Sequence, residues 1–542
     1  MLKKLRANLI IILILAIAAF LRFYQLGSNP PGMDWDETAH GYNAYSILKT
    51  GKDEYGYKFP LSFRSFDDYK PPLYTYMVVP SVAAFGLNNF AVRFPSALLG
   101  VFAVLFTYLM VWELLKNKQI ALFSALFLAI SPWHLQFSRV AFETNTIICW
   151  TTLATWTFLR GVKSSAGKIT AWFTVSALAF GADMFTYHNA RVFAPLYSLM
   201  LLFLAREKLL KIKKYLVIPL LITMAFCALL VPIIFSVSGQ LRFKGTTIFA
   251  DQSPVYKASA LIEQDKQQGS LVIGKILHNR RFVYLPILID NYLSHFRPTF
   301  LFLTADAERH HAPEIGLLYL WDLPFILCGV YFLLKNNFDK RSKLIIFWWF
   351  LMAPVAASVT WGLPHSLRSE IYLPVYQIFA AVGVYTLYSY SKKKRLFASI
   401  AAILLFFNFA FYLHQYYVHM PIEFSRYWLY GRKEAAIDSW NLKDNYDRVI
   451  VSTKVDQPHE FWLYYLKYDP KKYLAQGGTV SGGFLEDRNR FDKFQFKPID
   501  YQKQSQEAKT LFVGTPQENP GGTNVIKKIH YLNGEPAIYI WD

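Results

Sequence analysis

Asp36 and Glu37 stand side by side in the segment Pro30–Glu37, just after an almost wholly apolar run at residues 8–21. Ionisable groups at a membrane boundary are costly to desolvate, so they mark a site more often than decoration. A carboxylate held there can take a proton from a hydroxyl as that hydroxyl attacks a lipid-borne substrate. Residues Thr38–Lys49 read as a short helix ended near Gly51, which puts the acidic pair at its N-terminus. The helix dipole favours negative charge at that end, whether the acids do chemistry or are simply solvated.

Other chemistry-bearing groups recur at similar boundaries. Lys70 precedes Pro71-Pro72, which start a rigid apolar segment; a compact ammonium at headgroup depth suits a phosphate, or snorkels. Arg139 and Glu143 are i,i+4 and share a face if helical, so they pair, or else Glu143 serves as a second acid while Arg139 orders it or contacts phosphate. His188 and Arg191 lie together in Tyr187–Arg191, and His365 and Arg368 in Pro364–Glu370; an arginine there suits bidentate phosphate contacts. Between 237 and 315 fall Arg242, Lys244, Arg280, Arg281, Asp306, Arg309, His310 and His311. Asp306 with the two histidines is compatible with a divalent metal, but the spacing is nonspecific and no metal ligand is assigned. The candidates are thus Asp36, Glu37 and Glu143 for catalysis, and Lys70, Arg139, His188, Arg191, His365 and Arg368 for substrate and phosphate.

The elements that carry these groups are membrane helices. The chain of 542 residues is 54% hydrophobic and 18% aromatic, more apolar than a soluble enzyme of this length. Apolar runs at about 8–22, 92–114, 119–132, 145–160, 169–186, 192–205, 214–236, 316–335, 343–360, 371–391 and 396–414 predict about 11 spans. The net charge of +20 comes largely from short clusters between these runs, such as Lys116/Lys118, Arg160/Lys163/Lys168 and Lys392–Arg395. That is the positive-inside pattern rather than a nucleic-acid surface. It places the N-terminus in the cytoplasm, with the first run an uncleaved helix in the cell membrane. Charge parity then parks Pro71–Gly86 as a juxtamembrane helix on the outer side. Segments 23–70, 131–144, 187–191, 237–315 and 361–370 all face that side and predict one extracytoplasmic cavity. Cys149, Cys227 and Cys328 have no metal-ligand spacing and form no disulfide framework. Residues 415–542 read as a small soluble α/β domain, with strands at 447–453 and 510–514, an amphipathic helix at 458–468 and a hairpin around Asn533-Gly534.

Together these features resemble the GT-C superfamily of polyprenyl-phosphate-sugar-dependent glycosyltransferases, and within it glycosyltransferase family 39. The residues that carry the likeness are Asp36-Glu37, Lys70-Pro71, Ala91–Leu98, Ser138–Glu143 and His365–Arg368. The resemblance covers residues 1–205 well and 206–414 loosely. It implies an α-helical multi-pass fold over 1–414, with a first outer catalytic loop at 23–91 and a long outer loop at 237–315. It also implies a lipid-linked sugar donor used on the outer face, Asp36 as catalytic base, Lys70 as phosphate ligand and Glu143 as a further acid. Transfer of one sugar to an acceptor hydroxyl of a protein, lipid or glycan, with inversion, is the activity to expect. The leaving group is already a phosphate, so no cofactor is required. A lipid or polysaccharide transporter is the alternative; it calls for polar groups near midplane and paired repeats, which the sequence lacks.

Overall fold

A computed structural model describes residues 2–66, 68–279, 282–483 and 486–542. Asp67, Arg280 and Arg281 lie outside the described residues, as does the side chain of Arg242.

Helix α1 (Leu2–Phe23) leads into a segment that folds as α2 (Trp35–Thr50), the strands β1 (Phe63–Ser65) and β2 (Asp68–Lys70), and α3 (Leu73–Phe85). Then come α4 (Asn89–Leu115), α5 (Lys118–Ile130), α6 (Pro132–Ser138), α7 (Asn145–Lys163), α8 (Ala166–Met184), α9 (Ala190–Lys211) and α10 (Val217–Phe235). Further helices at Asp322–Lys335, Lys340–Met352, Val375–Tyr390 and Lys394–His414 complete the bundle. A helix occupies every stretch read as a span. Among the described residues, however, three helices are long and apolar enough to cross a membrane unaided, or up to five if two bent pairs each count as one span. Length and hydropathy of the helices thus establish fewer spans than the charge pattern predicts. One bend, 56° between α5 and α6, sits where Pro132 cannot continue the hydrogen-bond ladder. Helix α3, at 13 residues and so about 20 Å, falls short of a hydrocarbon core of ~30 Å.

Local chemistry fixes α2. The Asp34 side chain accepts from the Asp36 amide, while the Glu37 carboxylate accepts from the Asp34 amide, a capping box that satisfies first-turn donors. Gly51 ends the helix with φ 71°, a conformation that costs glycine little.

Beyond residue 415 a six-stranded mixed sheet forms, in the order β4-β5-β3-β6-β8-β7. These are β3 (Arg448–Val451), β4 (Arg490–Phe491), β5 (Phe494–Phe496), β6 (Thr510–Gly514), β7 (Val525–His530) and β8 (Pro536–Trp541). β3 runs parallel to both β5 and β6, and β7 and β8 form an antiparallel hairpin. The packing crosses residue 415. Met33, Tyr42, Tyr74 and Val92 share one buried cluster with Trp462, Tyr464, Phe496 and Leu511. Gly41 allows this approach, since a Cβ there would stand 2.6 Å from the Tyr464 ring and 2.8 Å from Val92. The Tyr42 hydroxyl also donates to the Tyr468 carbonyl at 3.1 Å.

Candidate active site

Helix α2 points successive acids in opposite directions. Asp36 stays partly open, with 27% of its side chain exposed, and its Oδ1 lies 2.8 Å from Lys70 Nζ. Lys70 ends β2 and is buried. One turn along α2, His40 Nε2 reaches Glu143 Oε2 at 3.4 Å, and His40 Nδ1 bonds Thr75 Oγ1 at 2.8 Å. The outer loop, α3 and the α6–α7 connection thus meet in one polar cluster. Burial alone would lower the Lys70 pKa, but Asp36 and then Glu143 outweigh it and raise the value, so the ammonium stays charged. Burial would likewise raise Glu143; Lys70 first, then His40, brings it down to about 2. The result is a cation flanked by two acids, the electrostatics of a site able to exchange a carboxylate for a phosphate.

Glu37 does other work. Its two oxygens accept from Arg93 Nε at 2.8 Å and Nη2 at 2.9 Å, from the Ala141 amide at 2.9 Å and from the Asp34 amide at 3.0 Å. Both side chains are fully buried. Glu37, read from sequence as catalytic, here forms a bidentate clamp that locks α2 onto α4. Arg93 escaped the sequence reading as a partner, although an arginine inside an apolar helix requires an acid nearby.

Arg139, read from sequence as a substrate ligand or a partner of Glu143, is engaged with the end of α1. It is buried and donates to the carbonyls of Leu21 at 2.6 Å, Arg22 at 3.2 Å and Asn29 at 3.1 Å, and to Tyr416 Oη at 3.0 Å. It caps the end of α1 and neither pairs with Glu143 nor faces Lys70. Helix α6 stops at Ser138, so the i,i+4 face assumed for 139 and 143 does not exist.

His188 and Arg191 form a brace behind Lys70. His188 Nε2 donates to the Tyr69 carbonyl at 3.0 Å, and Arg191 Nη1 donates to His188 Nδ1 at 3.0 Å. Burial and then Arg191 push the His188 pKa down to about 3, so the ring is neutral and braces the strand. His188, read from sequence as a phosphate ligand, thus contacts the strand that carries Lys70. Arg191, which also donates to the Met184 carbonyl at 3.2 Å, is engaged in the same brace.

Arg368 Nη1 donates to Thr360 Oγ1 at 2.8 Å and to the Trp361 carbonyl at 2.7 Å, and its own carbonyl accepts from Asn189. Its charge acts on Tyr187, which also feels Lys70 and Asp36. His365 belongs to a second cluster. Asp306 Oδ2 lies 2.9 Å from His310 Nδ1 and 3.4 Å from His365 Nδ1, and Asp306 also accepts from the Ser366 amide and hydroxyl. Against its burial, His310 and then His365 hold the Asp306 carboxyl well below the usual range. Asp306, His310 and His365 can together offer ligands to a metal. His311, grouped with them from sequence, instead meets the Ala312 carbonyl and the Phe424 ring. Next to them Arg309 pairs with Asp34 and stacks 4.2 Å over Trp35, which ties the long outer loop to the start of α2. Sequence reasoning missed His40 and the Asp34–Arg309 pair. The four-residue step from Asp36 to His40 was the one available signal.

Residues 69–231 match the family of dolichyl-phosphate-mannose-protein mannosyltransferases. Over its whole length the architecture is similar to that of ArnT from Cupriavidus metallidurans bound to undecaprenyl phosphate, with TM-score 0.57 and 12% identity, covering 98% of this chain and 97% of that one. This is a GT-C fold. The Archaeoglobus fulgidus oligosaccharyltransferase in its apo form is also similar to this chain, with TM-score 0.50 and 15% identity over 86% of this chain and 64% of that one. An uncharacterised protein of Aquifex aeolicus is 32% identical over 130 residues, 24% of this chain and 25% of its own. A candidate mannosyltransferase of Bacillus subtilis, YkcB, is 26% identical over 191 residues, 34% of this chain and 25% of its own. The chain therefore spans a quarter of the length of either relative. The family match begins one residue before Lys70 and includes Arg93, Glu143, His188 and Arg191.

Proposed function

We propose that this chain is a membrane glycosyltransferase that moves one sugar from a polyprenyl-phosphate donor to an acceptor hydroxyl on the extracytoplasmic face, with inversion. The observation that carries the reading is the 2.8 Å contact between Asp36 and Lys70, with Glu143 acting on the same ammonium. The family match over 69–231 and the GT-C fold support it. In the reaction, the acceptor oxygen attacks the anomeric carbon opposite the phosphate, and its proton passes to the Asp36 carboxylate. The bond from that carbon to the phosphate oxygen breaks, and the electron pair leaves on the phosphate. Lys70 Nζ, released from Asp36, stabilises the charge that develops there. Arg368 is the second cation near this path. Glu143, kept ionised by Lys70, holds His40 and the lysine in register, while Glu37 maintains the clamp beneath Asp36.

The test is sugar transfer from synthetic polyprenyl-phosphate sugars by the full-length protein in detergent. Asp36→Asn should lower the rate by about 10²–10⁴. Lys70→Ala should lower it severely and weaken inhibition by the free polyprenyl phosphate. Wild-type rates in both variants would overturn the assignment.

A further inference from the structure

A third cluster of ionisable groups lies apart from Lys70 and from Asp306, where the segment after α2 meets the helix Pro458–Tyr465. Glu54, in the turn after α2, approaches His459 and Glu460 at the start of the helix Pro458–Tyr465. All three are buried, and one ligand atom from each lies within 4.8 Å of the others. Glu54 is preset: Asn43 Nδ2 donates to its Oε1 at 2.8 Å, Thr479 Oγ1 donates to its Oε2 at 2.6 Å, and its amide donates to Asn43 Oδ1 at 3.0 Å. His459 Nε2 stands 3.9 Å from Glu460 Oε2. Glu460 Oε1 is buried with no hydrogen-bond partner among the described residues.

Two buried carboxylates in contact need either a shared proton or a cation. A shared proton accounts for the hydrogen bond between the Glu54 and Glu460 carboxyls but not for the imidazole beside them or the unpartnered Glu460 oxygen. We infer that Glu54, His459 and Glu460 form a binding site for a divalent cation of the zinc or manganese class, clasping the first outer loop to the C-terminal sheet. Mixed imidazole and carboxylate ligands suit such ions better than the all-oxygen shells of calcium. With metal–ligand distances of about 2.0–2.2 Å, neighbouring ligand atoms in a tetrahedral site lie roughly 3.5 Å apart, so the 3.9 Å gap between His459 and Glu460 closes by about 0.4 Å on binding. The bonds from Asn43 and Thr479 are the outer contacts that orient a metal-binding carboxylate. The cluster excludes Asp36 and Lys70, so the ion's role is to hold the fold.

The full-length protein in detergent, stripped with EDTA and desalted, tests this with Zn²⁺ and Mn²⁺ added separately. Bound metal is read by mass spectrometry and thermal unfolding by fluorescence. The expected result is one tightly bound equivalent and a rise in Tm of several degrees, both lost in Glu54→Gln and Glu460→Gln. His365→Ala, which disables the Asp306 cluster, should keep both. The wild-type measurement stands even if a glutamate variant fails to fold. No bound metal and no metal-dependent Tm in the wild type would overturn the inference. So would loss of the equivalent in His365→Ala with retention in Glu460→Gln, or a Glu460→Gln protein whose Tm rises on adding the ion as much as that of the stripped wild type.

Discussion

Lys70 stays charged in a dry setting because two acids face it, and this makes Glu143 as much a stabilising group as a functional one. Its folded pKa of about 2 lies below the ordinary 4.5. A depressed carboxylate contributes stability that is fully present above its unfolded pKa and disappears as pH falls through the folded one. Glu143→Gln should therefore destabilise the protein at pH 7 and flatten the loss of stability between about pH 4.5 and 2, measured by acid unfolding. Glu37 and Arg93 call for a different experiment. Removing either strands a buried charge, at a cost of about 3–5 kcal/mol, whereas replacing both with apolar residues of similar size restores much of the loss. Glu37→Ala and Arg93→Ala should give little folded protein, and Glu37→Met/Arg93→Met should recover it, judged by monodisperse yield. If Glu37→Ala folded normally yet lost transfer, the clamp would give way to a catalytic glutamate. At this scale Asp36 and Lys70 were legible because a charge beside an apolar run is expensive. Which of two adjacent acids turns inward was not, because that depends on Arg93, distant in the chain.

Helix α2 is the element on which the site hangs. Its cap residue Asp34 pairs with Arg309, its first turn carries Asp36 and Glu37, and its second carries His40. Asp34→Ala removes the cap, worth about 1 kcal/mol, together with the partner of Arg309. The expected outcome is a modest fall in Tm with a larger fall in transfer rate; an unchanged rate would show that the long outer loop does not help place Asp36. Gly41 gives a second handle. A larger residue must push Tyr464 or Val92 aside, so Gly41→Val should loosen α2 from the helix Pro458–Tyr465 and speed proteolysis between residues 415 and 458. The helices themselves were readable, because a run of apolar residues must satisfy its own backbone hydrogen bonds in lipid. The break at Ser138 was harder to see. The Arg139–Glu143 spacing looks helical, and only the packing of Arg139 under Asn29 and Tyr416 shows that the turn has already ended.

For the whole molecule, the shared core across residue 415 makes the sheet region part of the structure that holds α2. Ending the chain after His414 should expose Tyr42, Tyr74 and Val92, abolish transfer and make residues 23–70 sensitive to protease. A truncated chain with wild-type transfer would show instead that the sheet is an independent appendage. The sequence pattern marked the change in character at 415 but not the contact, since apolar residues on α2 and on Pro458–Tyr465 carry no label for each other.

The resting Asp36–Lys70 pair has a kinetic consequence. On the proposed mechanism, while the ammonium holds the Asp36 carboxylate, the base is quenched and an incoming hydroxyl finds nothing to accept its proton. Only an arriving phosphate, by drawing the lysine away, unmasks it. Turnover should accordingly obey a compulsory order, lipid first and alcohol second. A dead-end acceptor analogue should then inhibit uncompetitively against the donor.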